Sequence, residues 1–304
     1  MRPGVVIALV AALAVLGCVK TPGAAQTRTQ IVLLGTGTPY PDPGRFGPSV
    51  AIVVDDRPYL VDVGSGVTRR AVEAARRGVK GLSLDRLQSA FITHLHSDHT
   101  LGLADLILTP WVLGRTEPLV LYGPPGLRRM AEHIVAAYSE DIEVRTSGLE
   151  GLATAGNQVI VHEVAPGVAY RDAEVTVTAF AVGHGSWKQA LGYRFETPDR
   201  TIVISGDAAP SPSIAESCNG CDVLLHEVYS ETGFSKLSRA AQEYYRAFHT
   251  STRELAELAS RARPNLLVLY HQLYVGGSTE QSLLGEIESQ YDGRVVSGRD
   301  LQVW

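Results

Sequence analysis

One short segment, residues 93–99, constrains this chain more than any other. It reads Thr-His-Leu-His-Ser-Asp-His and directly follows a short apolar run. His94 and His96 are two residues apart, so both imidazoles point to the same side of an extended chain. Asp98 and His99 fall where the chain turns toward a helix-like apolar run, and they can face a second point nearby. The spacing therefore predicts two metal positions served by one loop.

The donor chemistry indicates which metal would bind. Imidazole nitrogens and carboxylate oxygens without thiolate suit Zn²⁺, with Mn²⁺ and Fe²⁺ as alternatives. A two-metal site needs more donors than one loop offers, and three later apolar runs are each followed by a single His or Asp. Those later candidates are His184, Asp207 and His271.

The remaining pattern predicts a layered α/β fold. From residue 30 onward, short apolar runs alternate with glycine- and proline-rich turns, and helix-like segments lie between them. Ser251 and Glu254 are spaced as a capping box for a helix predicted over 252–263. Strands in two halves with interspersed helices favour a sandwich of sheets covered by helices.

Residues 1–25 are predicted to be a targeting segment, and 26–304 the folded domain. A weakly basic start precedes an apolar run over 5–16, which is short for a membrane-spanning helix. The sequence Val-Leu-Gly-Cys ending at Cys18 is similar to a bacterial lipobox, while the small residues 23–25 would serve a peptidase that leaves no lipid. Either cleavage site predicts an exported, periplasmic protein, which would be anchored to the outer membrane if Cys18 is lipidated.

Two further cysteines, Cys218 and Cys221, are three residues apart. In an exported chain a local disulfide is the favoured interpretation, whereas a reducing compartment would suggest redox chemistry or metal binding. The closed loop is so short that such a bond would stabilise the fold little.

The charge pattern argues against nucleic acid as a partner. The formal net charge is -5, and Lys and Arg occur in scattered pairs instead of one basic patch. We therefore expect a small-molecule substrate instead of nucleic acid. A lipid anchor would add membrane contact, and a homodimer is a further assembly to consider.

Asp62 closes a predicted strand and is followed by a glycine-rich turn. It has two interpretations, which the sequence leaves open. Its carboxylate caps the turn, or it accepts a hydrogen bond from a ligand histidine and so orients that ligand.

The residues 94–99 resemble the HxHxDH motif of the metallo-β-lactamase superfamily. Neighbouring segments are similar to one branch of it, ribonuclease Z and its relatives, and the resemblance spans nearly all of residues 30–272. It is carried by residues 31–39, 93–102, 115–124, 205–207, 226–227 and 249–252.

This resemblance implies a single-domain, four-layer αββα sandwich with two zinc ions. It also implies that His249 assists the leaving group, poised by Glu227, while Asp98 orients the nucleophile. His226 and Asp62 are expected behind the ligands. The implied ligands are His94, His96 and His184 on one zinc, Asp98, His99 and His271 on the other, and Asp207 between them.

Two departures from the branch limit what is carried over. The long arm that grips tRNA is missing between His184 and Asp207, and the residues after Asp62 and His271 differ from the usual ones. We therefore predict an exported zinc hydrolase that cleaves a phosphodiester or sulfate ester with a metal-activated hydroxide. The alternatives are a tRNA 3′-processing endoribonuclease, a lactonase or β-lactamase-type hydrolase, and a metal-binding lipoprotein without enzymatic activity.

Overall fold

The computed structural model describes residues 27–304. The predicted targeting segment, including Cys18 and its lipobox, lies outside the described residues. Within 27–304, no helix has the length and apolar character needed to cross a membrane.

The first of two β-sheets has six strands, in the order in which they occur along the chain. Its first three strands are antiparallel, and the pairings from the third strand to the sixth are parallel. The strands are β1 (Thr29–Gly35), β2 (Ser49–Val54), β3 (Arg57–Val61), β4 (Ser89–Phe91), β5 (Leu119–Gly123) and β6 (Val159–Glu163).

The second sheet has seven strands, which pair in the reverse of their chain order. Pairings among its first four strands are antiparallel, and the later pairings are parallel. The strands are β7 (Gly167–Arg171), β8 (Thr176–Val182), β9 (Ala190–Glu196), β10 (Thr201–Ile204), β11 (Val223–Tyr229), β12 (Leu266–Leu273) and β13 (Val295–Ser297).

Helices cover the outer face of each sheet. The helix α1 contacts β1 and α4 contacts β6, whereas α6 contacts β8 and β10 and α9 contacts β11. The helices are α1 (Val67–Arg76), α2 (Ser97–Thr100), α3 (Leu103–Val112), α4 (Leu127–Ala137), α5 (Ser139–Ser147), α6 (Pro212–Cys218), α7 (Glu231–Phe234), α8 (Arg239–Phe248), α9 (Thr252–Ala262) and α10 (Glu280–Glu288).

Strand β1 shows why the layers form. Its side chains alternate between two apolar clusters: Val32 and Leu34 pack under the helices, whereas Ile31 and Leu33 pack between the sheets. A strand buried on both faces reads as one continuous apolar run, as it does here. The predicted αββα sandwich is confirmed by this arrangement.

Two local predictions are also confirmed. Cys218 and Cys221 form a disulfide at the end of α6. The capping box of Ser251 and Glu254 opens α9, with both reciprocal hydrogen bonds present. Since the N-cap Ser251 lies two residues after His249, this cap fixes the chain just beyond a candidate site residue.

Candidate metal centre

The predicted donors meet where several strands end at one edge of the sandwich. The loop after β4 carries His94 and His96, and His184 follows β8. The Nδ1 atom of His96 lies 3.0 Å from Nε2 of His94 and 3.0 Å from Nε2 of His184. With Asp207, which follows β10, these residues form a group whose ligand atoms all lie within 4.8 Å of one another.

A second group of donors shares Asp207 with the first. Its ligand atoms also lie within 4.8 Å of one another, and its other members are Asp98, His99 and His271. Oδ1 of Asp207 is 3.2 Å from Nε2 of His99, and Oδ2 of Asp98 is 3.2 Å from Nε2 of His271. The structure thus brings all seven predicted donors together and places Asp207 between the two groups.

The environment of these donors fits bound divalent cations. His99 Nε2, Asp207 Oδ1 and His271 Nδ1 are buried without a hydrogen-bond partner, a costly arrangement that a cation would relieve. Burial lowers the pKa of His184 to about 4, so its ring is neutral and can offer a lone pair. Although burial raises the pKa of Asp207, the surrounding histidines hold it well below its usual range, so this carboxylate is ionised.

Asp62 lies behind this centre and orients one of its donors. Its Oδ2 atom is 2.7 Å from Nδ1 of His99, and its Oδ1 atom accepts a hydrogen bond from the backbone N–H of Thr93 at 2.8 Å. The backbone φ of Asp62 is 58°, a left-handed conformation that is uncommon outside glycine and is found at functional sites. Of its two interpretations, the structure favours the carboxylate that orients a histidine.

His271 also has a left-handed backbone, with φ 46°. It was predicted to follow its strand, but β12 continues to Leu273. The pairing of β11 with β12 shifts register between His226 and Val228 at this level. His271 thus lies within a strand, at an irregular position of the pairing, where bulges commonly redirect a side chain.

Glu227 and His249 form a buried pair beside the donors. Nδ1 of His249 is 3.1 Å from Oε1 of Glu227, and that oxygen also accepts the backbone N–H of Thr250 at 3.3 Å. Although burial lowers the pKa of His249, the Glu227 carboxylate raises it above the usual value. The ring centroid of His249 lies 5.5 Å from that of His184. The structure therefore holds an imidazole paired with a carboxylate next to the predicted metal ligands.

His226 was expected behind the ligands at the end of a strand. It lies instead inside β11, with Nδ1 2.6 Å from the carbonyl oxygen of Glu227 and Nε2 buried without a partner. Burial lowers its pKa to about 4. No hydrogen bond among the described residues joins His226 to a predicted ligand.

Sequence reasoning missed two neighbours of the histidines. The indole Nε1 of Trp187 is 2.8 Å from Nε2 of His96, and the hydroxyl of Thr93 is 3.0 Å from Nδ1 of His94. Trp187 lies three residues after His184, so its proximity to that ligand was the available signal.

A cavity of about 350 Å³ opens onto this centre. His96, Asp207 and His249 lie on one side of it, and four tyrosines form much of the remaining wall. These are Tyr40, Tyr244, Tyr245 and Tyr274. The cavity therefore joins metal donors, His249 and an aromatic lining in one small space.

Two sheets covered by helices, with this His/Asp cluster at one edge, define a protein of the metallo-β-lactamase fold. Residues 57–272 match a family model described as the beta-lactamase superfamily domain. A ribonuclease Z from Mycobacterium bovis (strain BCG / Pasteur 1173P2) is 33% identical over 276 residues, which cover 90% of this chain and 96% of that protein.

Solved structures show the same fold. The metallo-beta-lactamase fold protein YhfI from Bacillus subtilis has a TM-score of 0.69 and 16% identity, covering 91% of this chain and 98% of its own. The short form of human tRNase Z has a TM-score of 0.66 and 23% identity, covering 90% and 98%. The chain belongs to the ribonuclease Z-like branch of the metallo-β-lactamase superfamily, and it is a metal-dependent hydrolase.

Proposed function

We propose that this hydrolase cleaves the anionic ester bond of a small substrate, a phosphodiester in the first place and a sulfate ester as the alternative. The observation that carries the proposal is His249, which lines the 350 Å³ cavity at the metal donors and is paired with the buried Glu227 behind it. A proton donor beside a cation site suits the departure of an ester oxygen.

His94, His96 and His184 would hold one cation, Asp98, His99 and His271 the other, and Asp207 would contact both. We propose Zn²⁺ because of the nitrogen and oxygen donors. Two such cations, when bound, lower the pKa of a water from about 15.7 toward about 7 and stabilise negative charge on the substrate.

The protein's own groups then handle the protons. The carboxylate of Asp98 lies in the second group of donors, where it orients the attacking water and accepts its proton. His249 donates the proton of Nε2 to the leaving oxygen, since Nδ1–H is already donated to Glu227. The buried Glu227 carboxylate thereby fixes which nitrogen faces the substrate.

The connection between His184 and Asp207 supports a small substrate. After His184 the chain enters β9 and returns through β10 as a hairpin, in which Ile202 pairs with Phe195. No extended arm projects from this stretch, all of which the structure describes. A long polynucleotide would also need several cationic contacts to its phosphates.

Processing of tRNA 3′ ends is the second candidate function. The specific observation in its favour is the ribonuclease Z from Mycobacterium bovis, which aligns over 96% of its length. The two candidates differ in the size of the substrate that they require.

A substrate panel tests the proposal. Purified protein loaded with zinc is assayed against bis-p-nitrophenyl phosphate, p-nitrophenyl phosphate, an aryl sulfate, a lactone, a β-lactam and a precursor tRNA. We expect turnover of the diester with negligible cleavage of the tRNA, and loss of bound metal and activity together in Asp207→Ala. Efficient tRNA cleavage without diester turnover would establish the second candidate, and bound metal without any turnover would indicate a metal-binding protein.

We also propose that the protein is exported and lipidated at Cys18, as the apolar run over 5–16 and the lipobox suggest. Expressed in a Gram-negative host, the wild type should fractionate with membranes, and Cys18→Ala should move it to the soluble periplasm or stall its processing. Full-length, unprocessed protein in the cytosol would contradict export.

A further inference from the structure

A second cavity, of about 450 Å³, opens beside the metal centre, and His249 is not among its lining residues. It reaches Asp98, a donor of the second group, whereas the tyrosine-lined cavity reaches His96, a donor of the first. Both cavities are bounded by Thr38, Pro39 and Tyr40. Two cavities therefore border the donors, and the tip of one loop, residues 38–40, lines both of them.

This loop, residues 36–46, is fixed at its base. The Asp300 carboxylate accepts hydrogen bonds from the backbone N–H of Thr36 and of Phe46, each at 2.9 Å. The backbone N–H of Gly37 donates to the carbonyl of Phe46 at 2.7 Å. At the tip, 77% of Tyr40 is exposed. The base of the loop whose tip lines both cavities is therefore fixed by the fold.

The wall of the second cavity is apolar and carries little positive charge. Leu101, which is 66% exposed, lines this cavity together with Phe46 and three prolines. Arg45 is the one Lys or Arg among the described lining residues, and its guanidinium already donates to the backbone carbonyl and side-chain oxygen of Gln272. Asp42 adds a carboxylate to the lining. An uncharged apolar group fits this space, and a chain of phosphates does not.

We propose that the second cavity binds the retained organic group of a phosphodiester whose leaving group occupies the tyrosine-lined cavity. The proton donor His249 lies in the tyrosine-lined cavity, so the leaving oxygen must lie there too. The bond from phosphorus to that oxygen breaks, a bond from phosphorus to the water oxygen forms, and His249 protonates the leaving oxygen. The products are an alcohol or phenol and a phosphomonoester that carries the apolar group.

This inference rests on the proposed function and narrows its substrate. Monoesters of phosphate or sulfate would leave the second cavity unfilled. The substrate class is a diester with an apolar, uncharged retained group. Contact with such a group would remove the exposed apolar surface of Leu101 from water, which favours binding.

Two substrates with the same leaving group and different retained groups test the second cavity: phenyl p-nitrophenyl phosphate and methyl p-nitrophenyl phosphate. We expect wild-type kcat/KM to favour the phenyl diester by about tenfold or more, since even one methylene in an apolar pocket changes kcat/KM by about 10- to 200-fold. Leu101→Asn should lower this ratio about threefold or more. The matched control Leu113→Asn changes a leucine that is 61% exposed and lines neither cavity, and it should leave the ratio unchanged.

Binding gives an independent measurement. Two non-hydrolysable phosphonates, with phenyl or methyl in the retained position, are titrated into zinc-loaded protein by calorimetry. The phenyl compound should bind more tightly, and Leu101→Asn should abolish the difference. Tighter binding of the phenyl phosphonate without turnover of any diester would refute the proposed function but would still support the second cavity as a binding site for an apolar group. Equal binding of both phosphonates, or equal kcat/KM for both diesters, would overturn the subsite itself.

Discussion

His99 Nδ1 donates a hydrogen bond to the Asp62 carboxylate at 2.7 Å, and Asp62 adopts a left-handed backbone conformation to receive it. This bond leaves Nε2 of His99 to face Asp207 across 3.2 Å. The pair therefore fixes both the orientation of the imidazole and the nitrogen that it presents to a metal.

Replacing Asp62 should weaken metal binding without removing a ligand. For Asp62→Ala we expect about 10- to 100-fold lower affinity for zinc, since partners behind metal ligands contribute that much. Competition with a chromophoric chelator measures the affinity. Asp56→Ala is the matched control, because Asp56 also has a positive φ but lies in the turn between β2 and β3. Equal affinity in Asp62→Ala and the wild type would contradict the proposed orienting role.

A second prediction concerns the stability of the fold. Pro110 lies inside α3 and lacks the N–H that would bond to the carbonyl of Leu106, and Arg115 donates to that carbonyl instead, at 2.9 Å. Its guanidinium also donates to the carbonyls of Ile107 and Gly156, although the side chain is 1% exposed.

Because Arg115→Ala would leave buried carbonyls without donors, we expect a loss of about 3 kcal/mol in the free energy of unfolding. Arg115→Lys should restore part of it, and urea denaturation measures both. Arg129→Ala, on α4, is a control that should change stability by less than about 0.5 kcal/mol. If Arg115→Ala lost no more unfolding free energy than Arg129→Ala, water would be satisfying the carbonyls in place of the guanidinium.

Much of the fold and the donors could be predicted because strong local signals encode them. Apolar runs mark the strands, and the donors His94 to His99 lie together in one loop. The backbone conformations of Asp62 and His271 carry no such signal, since Asp and His adopt a left-handed backbone more often than most residues but still only in a minority of cases. Trp187 lies only three residues after His184, but its contact with His96 depends on how two loops that are distant in the sequence pack, so that contact could not be predicted.

That tryptophan offers a direct test of metal binding. His96 faces the other donors with Nδ1, so coordination there leaves the ring proton on Nε2. The Nε1–H of Trp187 lies 2.8 Å from this nitrogen. Two hydrogen-bond donors would then face each other, which is unfavourable. We therefore expect zinc to displace the indole and change its fluorescence.

The titration is carried out with wild type and with Trp187→Phe. The fluorescence change should disappear in the variant while chelator competition still shows bound zinc. Trp111, whose indole donates to the carbonyl of Ala153, is a distant internal reference. An unchanged zinc response in Trp187→Phe would place the responding tryptophan elsewhere.

The last prediction uses the pair of His249 and Glu227. A general acid must be protonated to act, so kcat falls as the pH rises through its pKa in the enzyme–substrate complex. The Glu227 carboxylate raises the pKa of His249, which extends activity to higher pH. In Glu227→Gln this support is lost, so the alkaline fall in kcat should occur at lower pH than in the wild type.

Removing the acid itself separates this role from a structural one. His249→Ala should lose about 10²- to 10⁴-fold in kcat for a diester with an alcohol leaving group, which needs a proton. With p-nitrophenolate, which leaves readily as an anion, the loss should be much smaller, and bound zinc should not change. Equal losses for both leaving groups would contradict proton donation by His249, because a merely structural defect would not depend on the basicity of the departing oxygen.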